Sequence, residues 1–351
     1  MLRRTPSNVS MSLRAAARLA GRVGIAALPA SLGLLWLAQR GPTERWWIEL
    51  SRYLPYYWLL VPCVAAFVVS FWLGRVWVLG AVAALALLFT LTTGFEWNPG
   101  TDNADRVRLM TYNIKAENAL RRGDGFAALG REVALRNPDI LVMQDANGLL
   151  IDRAAPALSD GQLFGLPHLY ALGQYVVASR FALRDCGPGQ IGIGDESHRY
   201  LRCTVGVGGV DLSLVTAHFL SPRGGLRATR TEGLEGKSEW QQNFQGRLAQ
   251  SRALASDLAR LPRPLVVAGD LNAPEKSVVI QTLLATGLRD AFSAAGRGHG
   301  FTYGHTMRAG LSFLRIDHIL ASTDIGVADS FVGGSEASDH RPVVADLVLR
   351  Q

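Results

Sequence analysis

The stretch VVAGDLNAPEKS, residues 266–277, decides which kind of fold this chain adopts. An apolar run, Val266 to Ala268, ends at Gly269, and Asp270 and Asn272 follow two residues apart. Residues i and i+2 of an extended segment point to the same side, so the carboxylate and the carboxamide would meet at the end of a core strand. The same pattern also fits an ordinary turn before Ala-Pro. It indicates a site only if other strands end in the same way.

The composition divides the chain into an apolar N-terminal part and a mixed globular part. Apolar stretches fill residues 23–95, and the remainder alternates apolar and polar residues. The formal charge of +7 over 351 residues is too small and too scattered to indicate a basic stripe for nucleic acid. Lysine is rare among the 36 basic residues, which is typical of GC-rich bacterial genes. The sequence therefore predicts a bacterial protein with a membrane region before a globular domain.

The N-terminal region, residues 1–95, predicts an all-α transmembrane segment of about three helices, at about 20–39, 54–73 and 76–94. A signal peptide is the alternative for the first stretch. Arginines precede that stretch, which places the N-terminus in the cytoplasm by the positive-inside rule. An odd number of spans then puts the globular domain outside the cytoplasm, on a multi-pass protein of the inner membrane. Residues 96–105 are polar and turn-rich and are interpreted as a linker.

Residues 106–351 predict an α/β domain in which several strands follow one another without helices between them. A doubly wound fold would need helices between nearly all strands. The pattern instead favours a two-layer β-sandwich flanked by helices, with a long helix over 238–261. Cys186 and Cys203 lie in segments that could be neighbouring strands, and the sequence leaves open whether they form a disulfide or two free thiols.

Polar residues stand at the ends of several of these strands, as they do after Ala268. Each has an ordinary explanation taken alone: a strand-end cap for Asn113, a core histidine for His218, an arginine partner for Asp317. Together they are better explained as one site, because carboxylates and amides are hard oxygen ligands suited to Mg²⁺ or Mn²⁺. The set comprises Asn113, Asp145, His218, Asp270, Asn272, Asp317, Asp339 and His340.

The sequence resembles the endonuclease/exonuclease/phosphatase superfamily, whose members share the DNase I-like fold. The resemblance covers about residues 107–349 and rests on motifs in the family's order: TYNI, PDILVMQD, ASR, TAHF, AGDLNAP, RIDHILAS and SDHRPV. The N-terminal apolar helices are similar to those of a group of bacterial membrane-anchored members.

The resemblance implies a role for each matched residue. Asp145, with Asn113 and Asp339, would bind the divalent metal, Mg²⁺ or Mn²⁺. The implied catalytic residues are Asp270 for the attacking water, Asn272 and His218 for the phosphoryl oxygens, and His340 paired with Asp317 for the phosphate. The chain departs from the family at Gln144-Asp145, where the family generally has Gln-Glu, which puts metal affinity in doubt.

The function that these features predict is a membrane-anchored, divalent-metal-dependent phosphoesterase that hydrolyses phosphodiester bonds by in-line water attack. Its expected partners are a phosphate-ester substrate (nucleic acid, phospholipid or a small phosphodiester) and the lipid bilayer, and no protein partner is indicated. The alternative is a non-catalytic membrane-tethered binding module that keeps the fold. A transporter is disfavoured because the apolar stretches lack ionisable residues facing a pathway.

Overall fold

The computed structural model divides the chain into two compact units. One unit comprises Met1–Gly41 with Leu54–Phe95, and the other Pro42–Tyr53 with Glu96–Gln351. The second unit therefore includes residues 42–53, which the sequence assigns to the membrane region. The structure describes residues 8–41, 43–88, 94–98, 100, 105–121, 124, 126–150, 158–159, 161–192, 198–307 and 310–349.

The helices of the described residues are mostly short, apart from the first and the eighth. A 3₁₀ turn over Tyr56–Leu59 precedes the third. They are α1 Asn8–Gln39, α2 Trp46–Ser51, α3 Leu60–Ser70, α4 Arg75–Leu87, α5 Ala116–Arg121, α6 Ala127–Arg136, α7 Arg223–Glu232, α8 Lys237–Leu258, α9 Val278–Leu284 and α10 Ala291–Ala295.

The prediction of about three membrane-spanning helices is wrong for the described residues. One helix has a segment long and apolar enough to cross a membrane, Leu13–Gln39 within α1, and α1 begins at Asn8 rather than near residue 20. The second stretch, expected over 54–73, is divided between the 3₁₀ turn and α3, and ends in a turn before Gly74 at φ 110°. With 11 and 13 residues, α3 and α4 measure about 16 and 20 Å, against roughly 30 Å of hydrocarbon. The end of the third expected helix, beyond residue 88, lies outside the described residues.

Most strands of the second unit belong to two larger sheets. In chain order they are β1 Glu96–Trp97, β2 Val107–Asn113, β3 Ile140–Gln144, β4 Leu158–Ser159, β5 Gln162–Leu163, β6 His168–Leu172, β7 Tyr175–Ser179, β8 Leu183–Gln190, β9 Arg199–Val207, β10 Val210–His218, β11 Leu265–Asp270, β12 Leu288–Asp290, β13 Arg297–Gly298, β14 Asp317–Ser322, β15 Ile325–Val332 and β16 Val343–Leu349.

The two six-stranded sheets confirm the predicted two-layer sandwich flanked by helices. One has the order β12-β14-β11-β10-β9-β8 and the other β15-β16-β2-β3-β7-β6. Each contains one parallel pair, β10 with β11 and β2 with β3, among antiparallel neighbours. A disulfide joins Cys186 of β8 to Cys203 of β9, which decides the question that the sequence left open. Part of the expected linker, Glu96–Trp97, is itself a strand and pairs with β13.

The main apolar core lies between the two sheets and is built from the inward side chains of both. Leu109 and Ile140 from one sheet and Leu214 and Val266 from the other belong to this cluster and are buried. A second cluster covers the outer face of the sheet that contains β2 and β3 with α5 and α6. A third packs α8 and α9 on the outer face of the sheet that contains β10 and β11, with Phe244 of α8 fully buried. Apolar packing on both faces holds the central strands, and so their ends, in fixed register.

Candidate functional site

The strand register brings the polar strand ends to one edge of the sandwich. His218 at the end of β10 is paired with Asp270 at the end of β11, and Asp270 is paired with Asp317 at the start of β14. In the other sheet, Asn113 at the end of β2 is paired with Gln144, directly before Asp145. Parallel strands end at the same edge and an antiparallel neighbour begins there, so this topology gathers the side chains.

Asp270 is the centre of the cluster. Its Oδ2 atom accepts a hydrogen bond from Nδ2 of Asn113 at 2.9 Å, which links the two sheets. The same Oδ2 atom lies 3.4 Å from Nε2 of His218 and 3.8 Å from Nε2 of His340. Asp270 is buried, so its carboxylate contacts these neighbours rather than water. Side chains that are far apart in the sequence therefore converge on one carboxylate.

His340 and Asp317 form a buried pair on one side of Asp270. The Nδ1 atom of His340 lies 2.9 Å from Oδ2 of Asp317, which directs the Nε2 atom toward Asp270. Burial disfavours the charged imidazole, but Asp317 and Asp270 outweigh it and raise the pKa of His340 above its ordinary value. The ring of Tyr303 packs against the imidazole with centroids 4.9 Å apart. His340 is thus held in place by Asp317 with its Nε2 atom toward Asp270.

His218 and Asp145 lie on the opposite side of Asp270. Nδ1 of His218 is 3.8 Å from Oδ1 of Asp145 and 2.6 Å from Oε1 of Gln174. Burial lowers the pKa of His218, against the pull of Asp270 and Asp145. Burial also opposes ionisation of Asp145, but His218 and Lys115 outweigh it and lower the pKa of that carboxyl. Asp145 is therefore ionised and His218 mainly neutral at neutral pH.

Three site residues adopt left-handed backbone conformations. They are Lys115 at φ 45°, Asp145 at φ 50° and Asn272 at φ 49°. Asn and Asp are several-fold enriched among non-glycine residues with positive φ, but Lys is not, and such strain is concentrated at functional sites. The Nζ atom of Lys115 forms an ion pair with Oδ2 of Asp145. The strained backbone thus brings a cation to the carboxylate predicted to bind metal.

The remaining predicted residues lie next to the cluster. The backbone N–H of Asn272 donates to Oδ1 of Asp270 at 3.0 Å, and its side-chain Nδ2 donates to the carbonyl of Phe219. Asp339 adjoins His340 in the chain, and its Oδ2 atom accepts from Nδ2 of Asn118 at 3.1 Å. The roles given to all eight residues stay predictions.

Sequence reasoning missed several residues that touch the cluster. Lys115 directly follows the TYNI motif, so its position beside the predicted site residue Asn113 could have identified it. Gln174 stands in the turn between β6 and β7, and Tyr303 in a segment without regular structure, so neither carried a local pattern. Arg223 donates to the Tyr303 hydroxyl at 2.9 Å and lies over its ring.

The donor set fits a divalent cation. Asp270, Asp317 and His340 each offer a ligand atom, and these atoms lie within 4.8 Å of one another in a buried position. Asp145 and the Asn113 carboxamide add oxygen donors on the other side of Asp270. Several carboxylates with few compensating cations are the environment that Mg²⁺ or Mn²⁺ stabilises.

Comparison with protein families shows which family this chain belongs to. The model of the "Endonuclease/Exonuclease/phosphatase family" matches residues 110–340. The chain belongs to this family, a superfamily of nucleases and phosphatases that are mostly phosphoester hydrolases. A search of the curated proteins finds no match.

Solved structures of TDP2 share the fold at low sequence identity. A humanized TDP2 of D. rerio is 17% identical with a TM-score of 0.53, over 70% of this chain and 99% of that one. D. rerio TDP2 complexed with a single strand DNA product is 16% identical with a TM-score of 0.52, over 69% and 98%. An endonuclease/exonuclease/phosphatase from Beutenbergia cavernae DSM 12333 is 20% identical with a TM-score of 0.48, over 70% and 72%.

Proposed function

We propose that this protein is a divalent-metal-dependent phosphoesterase that hydrolyses phosphodiester bonds by in-line attack of water. One observation carries the proposal: Asn113, His218 and His340 all face the Oδ2 atom of Asp270 in a buried cluster built by both sheets. Hydrolysis of a phosphodiester needs a group that orients and deprotonates water, together with donors for the phosphoryl oxygens. The cluster contains both kinds of group.

Asp270 is the proposed base. Its Oδ1 atom is held by the backbone N–H of Asn272, which leaves Oδ2 to accept a proton from the attacking water. His340, protonated and aligned by Asp317, donates from Nε2 to a phosphoryl oxygen. The Asn272 carboxamide and His218, when its Nε2 atom carries a proton, are the proposed donors on the other side. These donors are fixed by packing before substrate arrives, which reduces the reorganisation that the reaction requires.

Asp145, Asn113 and Asp339 are the residues proposed to hold Mg²⁺ or Mn²⁺. The ion supplies Lewis-acid stabilisation of charge on the phosphoryl group. Because Asp is one methylene shorter than the Glu typical of the family, Asp145 would hold the ion with a shorter reach from the end of β3 or through a water molecule.

The proposed substrate class is a phosphodiester, either nucleic acid or phospholipid. TDP2, which shares the fold, has been solved with a single strand DNA product, and this supports nucleic acid as one candidate. A membrane anchor supports phospholipid as the other, because tethering raises the effective concentration of substrate in the bilayer. Arg227 and Arg230 of α7 are exposed and provide positive charge for either substrate class. They lie in the same helix as Arg223, which contacts Tyr303 at the site.

The proposed location is the inner membrane, with the catalytic unit outside the cytoplasm. The length and composition of α1 support an anchor, and the arginines before it support a cytoplasmic N-terminus. The disulfide between β8 and β9 supports an oxidising compartment.

The test is turnover of bis-p-nitrophenyl phosphate by the full chain in detergent, with Mg²⁺, with Mn²⁺ and with EDTA. Asp270→Asn and His340→Ala should each lower kcat by at least about 100-fold, since they remove the base and a phosphoryl donor. Asp324→Asn and His168→Ala make the same chemical changes at exposed positions and should match the wild type.

DNA, RNA and phospholipid vesicles are then compared as substrates under the same conditions. The proposal fails if no phosphodiester or monoester is turned over with any metal. That result would favour a non-catalytic binding module instead.

A further inference from the structure

The segment of residues 43–53, here called the connector, is built into the catalytic unit although it lies between two apolar helices in the sequence. Its helix α2 buries Ile48 and Glu49. The indole N–H of Trp240 in α8 donates to the carbonyl of Trp46 at 3.0 Å. The ring of Tyr53 packs edge-on against Trp240, with centroids 5.3 Å apart. The connector is therefore part of the core around α8.

The connector also forms hydrogen bonds at both ends of the segment 272–277, which follows Asp270. The Tyr53 hydroxyl donates to the backbone carbonyl of Asn272 at 2.8 Å. Five residues further on, the Ser277 hydroxyl donates to Glu49, which is fully buried and paired with Arg52 at 2.7 Å. Because Ser277 also caps α9, the connector contacts this segment at the catalytic residue and at the helix that follows.

The Asn272 carbonyl accepts from two buried donors. Besides Tyr53, Nη1 of Arg247 donates to it at 3.0 Å and also donates to the Tyr53 oxygen. Burial raises the pKa of Tyr53, so the phenol keeps the proton that it donates. Asn272 has a left-handed backbone, a conformation that needs support from its surroundings. The two donors supply that support.

The conformation of Asn272 in turn orients the carboxylate of Asp270. The Asn272 N–H fixes Oδ1 of Asp270 at 3.0 Å, and this leaves Oδ2 facing Asn113 and the two histidines. The carbonyl and the N–H of Asn272 belong to successive peptide groups joined at its Cα, so the φ and ψ angles of Asn272 fix their relative orientation. The chain of contacts runs from Tyr53 to the Asn272 carbonyl, and from the Asn272 N–H to Asp270.

We propose that Tyr53 is a positioning residue for catalysis, which acts through Asn272 to orient Asp270. This proposal rests on the proposed phosphoesterase function. The proposal makes the connector, which precedes the apolar helices α3 and α4, a functional part of the active site. Tyr53 contributes to the site although it lies 219 positions from Asn272 in the sequence.

The experiment compares Tyr53→Phe with Tyr200→Phe in the full chain, in detergent with saturating Mg²⁺. Tyr200 is the matched control because it is buried and its hydroxyl donates to Asp257 at 3.0 Å, away from the site. Tyr53→Phe should lower kcat about three- to tenfold, as expected for loss of one buried hydrogen bond. KM should stay within about twofold, because the phosphoryl donors His218 and His340 are unchanged. Tyr200→Phe should change neither constant.

A second measurement does not depend on activity. Hydrogen exchange of a peptide covering residues 266–277 should be faster in Tyr53→Phe than in the wild type and in Tyr200→Phe. The Leu271 and Asn272 amides, which donate to Ile316 and Asp270, report on this segment directly.

The outcomes separate the two proposals. If Asp270→Asn abolishes turnover but Tyr53→Phe matches the wild type in kcat and in exchange, the positioning role is wrong and the phosphoesterase stands. If kcat falls equally in both Tyr variants, the role is merely structural and the proposal is overturned. If the wild type has no turnover, the phosphoesterase fails and the catalytic role of Tyr53 fails with it, whatever the exchange rates show.

Discussion

At the scale of single residues, Lys115 and Asp145 set the charge at the predicted metal site. Both side chains are partly exposed, at 21% and 28%, so water screens their ion pair in part. The ammonium group nevertheless occupies one oxygen of the carboxylate that the resemblance assigns to the metal. A cation entering the site must therefore compete with Lys115.

Replacing Lys115 by Met should strengthen divalent metal binding. The substitution keeps a long side chain and removes the competing charge, so we expect affinity for Mn²⁺ to rise roughly tenfold. Isothermal titration calorimetry of the full chain measures this without reference to turnover. Lys237→Met, in which the lost ammonium lies over Trp46 rather than near the site, should bind Mn²⁺ like the wild type. Equal affinities in all three proteins would show that Lys115 does not oppose the ion.

At the scale of secondary-structure elements, the site depends on neighbouring strands whose ends lie at the same edge of the sandwich. Parallel pairs at the centre of both sheets, β2 with β3 and β10 with β11, bring polar termini to one edge. The Asn113–Asp270 hydrogen bond then joins the two layers at that edge. The outer strands β8 and β9 contribute no predicted catalytic group, and a disulfide ties them together instead.

Removing this disulfide should lower stability without changing catalysis. Cys186 and Cys203 are 17 positions apart, and closing a loop of this size stabilises a protein by about 2–4 kcal/mol. Urea denaturation should show the double variant Cys186→Ala/Cys203→Ala less stable by this amount, with kcat retained. Wild type treated with a reducing agent should behave like the variant. If reduction leaves the urea midpoint unchanged, the disulfide does not stabilise the fold.

At the scale of the whole molecule, the chain leaves the second unit, which contains the candidate site, after Tyr53 and returns to it at Glu96. A folded unit lies on one side of a membrane. The proposed membrane anchor therefore requires both ends of the segment Leu54–Phe95 to lie on that same side of the membrane.

Cysteine labelling tests this topology. In a variant with the native cysteines replaced by Ala, single cysteines at Glu44 and Thr323, both exposed in the catalytic unit, should react equally with a membrane-impermeant maleimide. Labelling in intact cells would place both outside the cytoplasm, as proposed. Reaction of the two positions from opposite sides of the membrane would contradict the single unit.

The sequence alone determined the strands, the two-layer architecture and the residue types gathered at the strand ends. These are local properties, because an apolar run that stops at a polar residue shows where a buried strand reaches the surface. The order of the motifs was sufficient to indicate the family. The sequence did not determine the lengths of the apolar helices: within the stretch 54–73, a 3₁₀ turn over Tyr56–Leu59 and a turn over 71–73 leave only α3 as α-helix.

Only the tertiary structure decided which groups surround each predicted site residue. Lys115 reaches Asp145 through left-handed backbone, and Tyr53 reaches Asn272 by packing against α8. Neither contact follows from a pattern, because contacts between residues so distant in sequence depend on how the layers and the connector pack. The pairing of Cys186 with Cys203 was decided for the same reason: two cysteines form a bond only where strand register brings them together.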